Sequence, residues 1–272
     1  MELCINEMMI KNGDLLSHIE ACAKCEIRYM EIFKGQLLRY LRGGGTLPEL
    51  KQAFARYGVM PVCINSVESI TFNGKRGMRV LKEATEYLCY CSREIDCDCV
   101  EVIASFKVPA SSWEEIHAET VQSLAELSEV ARHYGVRLAL EYMSLPGSSV
   151  CTFGQAKDII DAVGRENVGI LLDTWHHYAA GSLPEDILQA KGSDIFMVHV
   201  SDCPERVPGT AVRTESCLPG DGVVPLREML ANLVSIGYEG VVSAEIFSPS
   251  VREMPPELLI ETIKRRMLPL LG

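Results

Sequence analysis

Short β-type runs alternate with helical stretches from one end of this 272-residue chain to the other, and that alternation removes most architectures from consideration. It is the pattern of a βαβα fold with a parallel sheet, in which each helix carries the chain back to begin the next strand. Eight runs are expected to be strands, at residues 3–6, 29–33, 59–64, 99–104, 136–142, 168–173, 195–200 and 241–247. Between them lie amphipathic segments such as residues 111–134, where Ile116, Val121, Leu124, Leu127 and Val130 recur at helical spacing. Gly58 and Gly135, each just ahead of the next strand, read as helix C-caps. Eight such units predict an α/β fold, a single (β/α)8 TIM barrel with one domain over residues 1–272. A length of about 250 residues is typical of that barrel. A doubly wound open sheet is the structural alternative, but no glycine fingerprint follows the first strand to form a dinucleotide site. Gly43-Gly-Gly45 reads as loop punctuation before the helix that begins near Leu47. Residues 107–113 and 202–219 are long enough to be active-site loops.

Charge narrows the partners. A formal net charge of -11 makes the surface repel phosphate backbones and anionic lipid heads, so neither nucleic acid nor membrane is an expected partner. No apolar run approaches the ~20 residues that span a bilayer, and Met1-Glu-Leu-Cys-Ile-Asn-Glu lacks the basic and apolar regions of a leader. A soluble cytoplasmic protein is expected. The eleven cysteines, an odd and scattered set, fit reduced thiols used as small hydrophobes rather than a disulfide framework. Cys22 and Cys25, Cys89 and Cys91, and Cys97 and Cys99 form suggestive pairs, yet no second matching pair or nearby histidine completes a zinc set.

Chemistry enters at four strand ends. Glu141 closes Val136-Arg-Leu-Ala-Leu-Glu, Asp173 closes Val168-Gly-Ile-Leu-Leu-Asp, His199 closes Ile195-Phe-Met-Val-His and Glu245 closes Val241-Val-Ser-Ala-Glu. Ionisable groups at the ends of buried strands are costly unless something pairs with them, and one divalent cation satisfies all four together. Side chains two apart share a strand face. Ala139, Leu171, Met197 and Ser243 are therefore expected beneath the four, while Leu138, Leu140, Ile170, Leu172, Phe196, Val198, Val242 and Ala244 face the helices. The four polar groups then point into the barrel at its C-terminal mouth, where such barrels carry their active sites. Three carboxylates and one imidazole suit Mn, Zn, Co or Mg, with open positions for substrate oxygens.

The runs Leu140-Glu-Tyr, Val168-Gly-Ile-Leu-Leu-Asp-Thr-Trp-His, Val198-His-Val-Ser-Asp and Leu218-Pro-Gly-Asp-Gly-Val resemble the xylose-isomerase-like barrel superfamily of sugar isomerases and epimerases, and within it the inosose (2-keto-myo-inositol) isomerases. The resemblance runs over nearly the whole chain and implies the same four metal ligands. It also implies an isomerase of a cyclitol ketone or ketose, removing a proton α to a carbonyl through a cis-enediolate. Glu141 and Glu245 would act as acid and base on either face of the planar intermediate. It further implies that His176, of the Asp-x-x-His motif, binds a substrate oxygen, and that Asn6, Glu7 and Asn65 bind hydroxyl groups. His177 has no such match and reads as a packing or solvent-facing residue. Two departures stand out. Many relatives carry an arginine where this chain has Ser216, with Arg206 and Arg213 as substitutes from the same loop, and Tyr178 replaces a histidine. Trp175, Trp113 and Phe106 are candidates to wall the pocket.

The competing functions are a ketose 3-epimerase, an inosose dehydratase, a non-catalytic sugar-binding barrel and a DNA-repair endonuclease. The last needs further histidines from the first half of the barrel, and none lies between His18 and His117. A symmetric homodimer is the commonest closed assembly for such a chain.

Overall fold

A computed structural model describes residues 1–272 apart from Lys107, Pro208 and Ala211, so the expected loops 107–113 and 202–219 are described in part. The eight strands are β1 (Glu2–Asn6), β2 (Tyr29–Phe33), β3 (Met60–Val67), β4 (Cys99–Ile103), β5 (Arg137–Glu141), β6 (Val168–Asp173), β7 (Ile195–Val200) and β8 (Val241–Ala244). They pair in parallel in chain order, and β8 returns to β1 to close the barrel. The helices are α1 (Leu15–Lys24), α2 (Lys34–Arg42), α3 (Leu47–Tyr57), α4 (Gly74–Glu94), α5 (Trp113–His133), α6 (Phe153–Val163), α7 (Thr174–Ala179), α8 (Leu226–Ser235), α9 (Pro249–Arg252) and α10 (Pro256–Leu271).

Local chemistry sets the helix ends. Asp14 with Ser17, Thr46 with Glu49, Ser112 with Glu115 and Thr152 with Gln155 form reciprocal capping boxes at α1, α3, α5 and α6, satisfying N–H groups that a helix start leaves unpaired. Gly58 and Gly135 both take φ +67°, the left-handed stop expected of them. The stripe that α5 buries is Thr120, Leu124, Leu127 and Ala131, while Ile116, Val121 and Val130 flank it half-buried.

Strand parity divides the core in two. Leu138, Leu140, Ile170, Leu172, Val198, Val242 and Ala244 belong to the large cluster between sheet and helices. Ala139, Leu171 and Met197 join Cys4, Cys63 and Cys99 in a small cluster inside the barrel. Phe196 departs from the expected pattern. The β6–β7 register shifts by one residue beside it, a bulge that turns its ring toward the lower end of the barrel. There it lies against Gly169, where a Cβ would come within 2.7 Å of the ring, and under the Arg137 guanidinium at 4.7 Å from its centroid. The eighth strand also ends at Ala244, short of the expected residue 247, although the Glu245 N–H still donates to the Val200 carbonyl at 3.0 Å. All eleven cysteines are free. No helix among the described residues is long and apolar enough to cross a membrane.

Candidate metal centre and active site

Parallel pairing brings the tips of β5 to β8 to one mouth. Asp173 is level with His199 and His199 with Ser243, so the inward-facing residues form a ring. One donor atom from each of Glu141, Asp173, His199 and Glu245 lies within 4.8 Å of every other, all four residues are buried, and among the described residues this is the one such cluster.

Each ligand is held from behind. The His199 Nε2–H donates to Glu31 on β2, at 2.9 Å to Oε2 and 3.2 Å to Oε1, and Ser243 Oγ donates to the same carboxylate at 3.0 Å. A proton fixed on Nε2 leaves the Nδ1 lone pair facing the cluster, the arrangement by which a second carboxylate orients a metal-bound histidine. Asp173 Oδ1 accepts from the Trp175 and His176 N–H groups at 2.7 and 3.0 Å, which also caps α7. Asn6 Nδ2 donates to Glu245 Oε1 at 3.0 Å. Arg213 Nη2 donates to Asp173 Oδ2 at 2.9 Å and also to Glu245 Oε2.

The donor set fits a divalent cation. Buried Glu141 Oε1 and His199 Nδ1, two of the atoms that face one another across the cluster, have no hydrogen-bond partner, and buried groups of this kind are rarely left unmatched. The barrel interior also carries five buried carboxyl groups, from Glu31, Glu101, Glu141, Asp173 and Glu245, and the guanidinium that pairs with any of them is that of Arg213, on Asp173 and Glu245. Burial and His199, acting in opposite directions, leave the Glu141 carboxyl raised above its ordinary range. Glu245 is also opposed by burial, yet His199 and Arg213 outweigh it and hold its carboxyl down to about 2. These side chains form one divalent-metal site, held by oxygen and nitrogen alone.

A cavity of about 240 Å³ opens above the site, lined by Glu141, His176, Arg213 and Glu245 on one side and by Asn65 and Glu101 on the other, with Phe106, Met143 and Phe247 among its apolar surfaces. That volume lies below the roughly 300–1,000 Å³ of common ligand pockets, so it takes a small molecule. The His176 Nδ1 accepts from the Ser144 N–H at 3.1 Å, which puts the ring proton on Nε2. That atom is buried without a partner. Burial depresses the His176 pKa to about 3, so the ring presents a neutral N–H donor to the cavity.

Not every candidate residue reaches this cavity. Glu7 is buried below it, with one oxygen on His18 Nδ1 at 2.8 Å and the other accepting from the Phe33 N–H at 3.0 Å. Both lone-pair sets are spent on structure. Asn6 touches Glu245 instead of lining the cavity. Trp175 is fully buried and serves as a floor under Arg213, 5.2 Å from its guanidinium, while Trp113 packs on His117; Phe106 alone of the three aromatics lines the pocket. His177 is buried, accepting from Tyr142 Oη at 2.9 Å and donating to the Leu183 carbonyl at 2.8 Å. Arg206 pairs with Glu215 at the surface, so Arg213 is the loop arginine that enters the site. Ser216 Oγ accepts from the Phe247 N–H at 2.7 Å. Asp202 ties the Pro219-Gly-Asp-Gly turn beneath that loop, accepting from the Val224 and Gly220 N–H groups at 2.9 Å. Reading the sequence missed Glu31 and Glu101. Each stands in the middle of an apolar strand, Tyr29-Met-Glu-Ile-Phe and Cys99-Val-Glu-Val-Ile, and a mid-strand acid was the available signal.

Comparison with known proteins agrees with this geometry. Residues 19–268 match a family described as the xylose isomerase-like TIM barrel. An inosose isomerase of Halalkalibacterium halodurans is 33% identical over 266 residues, covering 97% of this chain and 94% of its own. A 3-dehydroshikimate dehydratase of Pseudomonas aeruginosa is 28% identical over 90% of this chain, which corresponds to 38% of that protein. Among solved structures, the IOLI protein with a bound zinc atom superposes with a TM-score of 0.96 at 30% identity, over 100% of this chain and 98% of that one.

Proposed function

The chain belongs to the xylose isomerase-like TIM barrel family, and from that premise we propose that it is a divalent-metal-dependent isomerase of a cyclitol ketone, inosose in the first instance, or of a ketose. The observation that carries the reading is the ring of Glu141, Asp173, His199 and Glu245, with Glu141 Oε1 and His199 Nδ1 unmatched, beneath a small cavity that Glu141 and Glu245 line. A bound cation supplies stabilisation for the negative charge that develops on oxygen when a proton α to a carbonyl is removed.

The chain's own groups do the rest. Glu141 and Glu245 reach the cavity from different strands, so one takes the α-proton and the other returns a proton to the neighbouring carbon. His176 donates its Nε2–H to a substrate oxygen and keeps it oriented. Arg213, stacked at 4.4 Å on Phe247, fixes Asp173 and Glu245 against each other and covers the site from the loop side. Asn65 Oδ1, buried without a partner, accepts from a hydroxyl group. Loss of water in place of proton return is the second reading, favoured by the dehydratase among the relatives. We place the work in the cytoplasm, where eleven reduced thiols persist, and we propose a homodimer as the assembly.

The test is an NMR assay in deuterated water with inosose, ketohexoses and ketopentoses and added Mn²⁺. Exchange of the α-proton with formation of an isomeric ketone is expected for inosose. Absence of exchange with every substrate rejects the isomerase, and an unsaturated product selects the dehydratase.

A further inference from the structure

The cavity has two unlike walls. On the side of β5 to β8 the unmatched atoms Glu141 Oε1, His199 Nδ1 and His176 Nε2 are accounted for by the ion site and the substrate oxygen beside it. On the opposite side, Asn65 of β3 and Glu101 of β4 stand next to each other, because Ile64 is paired with Val100 across the ladder. Both line the cavity. Glu101 is only 3% exposed, lies outside the metal-ligand set, and makes no hydrogen bond or ion pair with any described residue. Asn65 Oδ1 beside it is also buried without a partner. A carboxyl group in such a place is costly unless matched, and the open side from which a match can come is the cavity.

We propose that Glu101 is a substrate-binding residue that hydrogen-bonds a hydroxyl group on a carbon away from the metal, and that it restricts the site to uncharged polyols. It rests on the isomerase reading for the orientation of the substrate. Neighbouring hydroxyls of a polyol can donate one to the Glu101 carboxyl and one to Asn65 Oδ1, whose own amide N–H groups are turned to Asn6 and Glu31, so a polyol satisfies both acceptors together. A phosphate or carboxylate substituent placed there sets acceptor oxygens against the Glu101 carboxyl and Asn65 Oδ1, while the Arg213 guanidinium that also lines the cavity is engaged by Asp173 and Glu245. Glu101 thus selects by what it refuses as well as by what it holds.

Calorimetric titration of the Mn²⁺-loaded protein tests this, with myo-inositol as a non-reacting polyol and myo-inositol 1-phosphate as its anionic counterpart. Glu101→Leu is expected to weaken myo-inositol binding about 10- to 100-fold. Glu101→Gln, which keeps an acceptor oxygen and adds an N–H donor, is expected to stay within about 5-fold for myo-inositol and to bind the phosphate at least about 10-fold tighter than the parent protein. Mn²⁺ affinity is expected to hold within about twofold in both variants, unlike that of a true ligand variant. The inference is overturned if Glu101→Leu binds myo-inositol as the parent does, if either variant loses Mn²⁺, or if the parent protein binds no polyol. If Glu101→Leu does not fold, the charge-neutral variant decides alone, and an unchanged preference against phosphate overturns the inference. Polyol binding that depends on Glu101, without α-proton exchange on inosose, rejects the isomerase reading and leaves this one standing.

Discussion

The two halves of the barrel use their buried acids differently. In the second half, Glu141, Asp173 and Glu245 sit at or just past the strand tips and converge on one point with His199. In the first half, Glu31 and Glu101 sit mid-strand, and neither joins that point. Glu31 is spent on His199 and Ser243, and Glu101 faces the cavity. Height in the barrel separates the two sets: the tips form the ion site, and in the layer beneath Glu31 braces a ligand while Glu101 lines the cavity. On the proposed function, one half does the chemistry and the other sets its geometry and its guest.

The largest effects should come from the tips. Glu141→Gln and Glu245→Gln are each expected to lower α-proton exchange by about 10³-fold or more, while far-ultraviolet circular dichroism stays that of the parent. Activity within tenfold of the parent in either variant would erase the distinction between the halves. Next comes the ion itself. Divalent metal at about 100 times its Kd should stabilise the fold by about 2.7 kcal/mol, read as a rise in Tm that His199→Ala abolishes. A Tm indifferent to Mn²⁺ and Zn²⁺ would argue against a folded-state site.

Bracing should cost less than ligation. Glu31→Gln is expected to weaken metal binding by about 10- to 100-fold, measured by competition with a chromogenic chelator. An effect as large as that of His199→Ala would make Glu31 a ligand in its own right and break the division between tip and layer.

The smallest effect lies outside both halves of the site. His177 is buried between Tyr142 and Leu183 and its pKa is lowered, chiefly by burial. The unfolded chain therefore takes up a proton near pH 6.5 that the folded chain refuses, and stability falls as pH drops below that value. His177→Gln should flatten the dependence of stability on pH between 7 and 5 by at most ~1.4 kcal/mol per pH unit. Denaturant titrations at those two pH values, showing the same slope in variant and parent, would contradict it.

These differences also explain what could be read from the sequence. A polar residue that ends an apolar run interrupts it visibly, so Glu141, Asp173, His199 and Glu245 declared themselves and their period-two neighbours followed. Glu31 and Glu101 are flanked on both sides by apolar residues, and only the closed barrel reveals that their parity points inward. Glu7 was expected from the resemblance alone to bind a hydroxyl group, and the short 3-10 turn at Glu7–Met9 sets its carboxyl against His18 and the Phe33 N–H, contacts that no local pattern shows. Phe196 was assigned by strict alternation, and a bulge is invisible to that rule. Arg213 depended on a loop whose path is fixed by Asp202 and the Gly220–Gly222 turn, contacts that no local pattern announces.

The cluster of Cys4, Cys63, Cys99, Ala139, Leu171 and Met197 inside the barrel has a consequence for traffic. It plugs the barrel with apolar side chains, and so the cavity over the ion site is a cup that opens at the strand tips. Whatever enters must leave by the same door, and a spent molecule bars the next until it has gone.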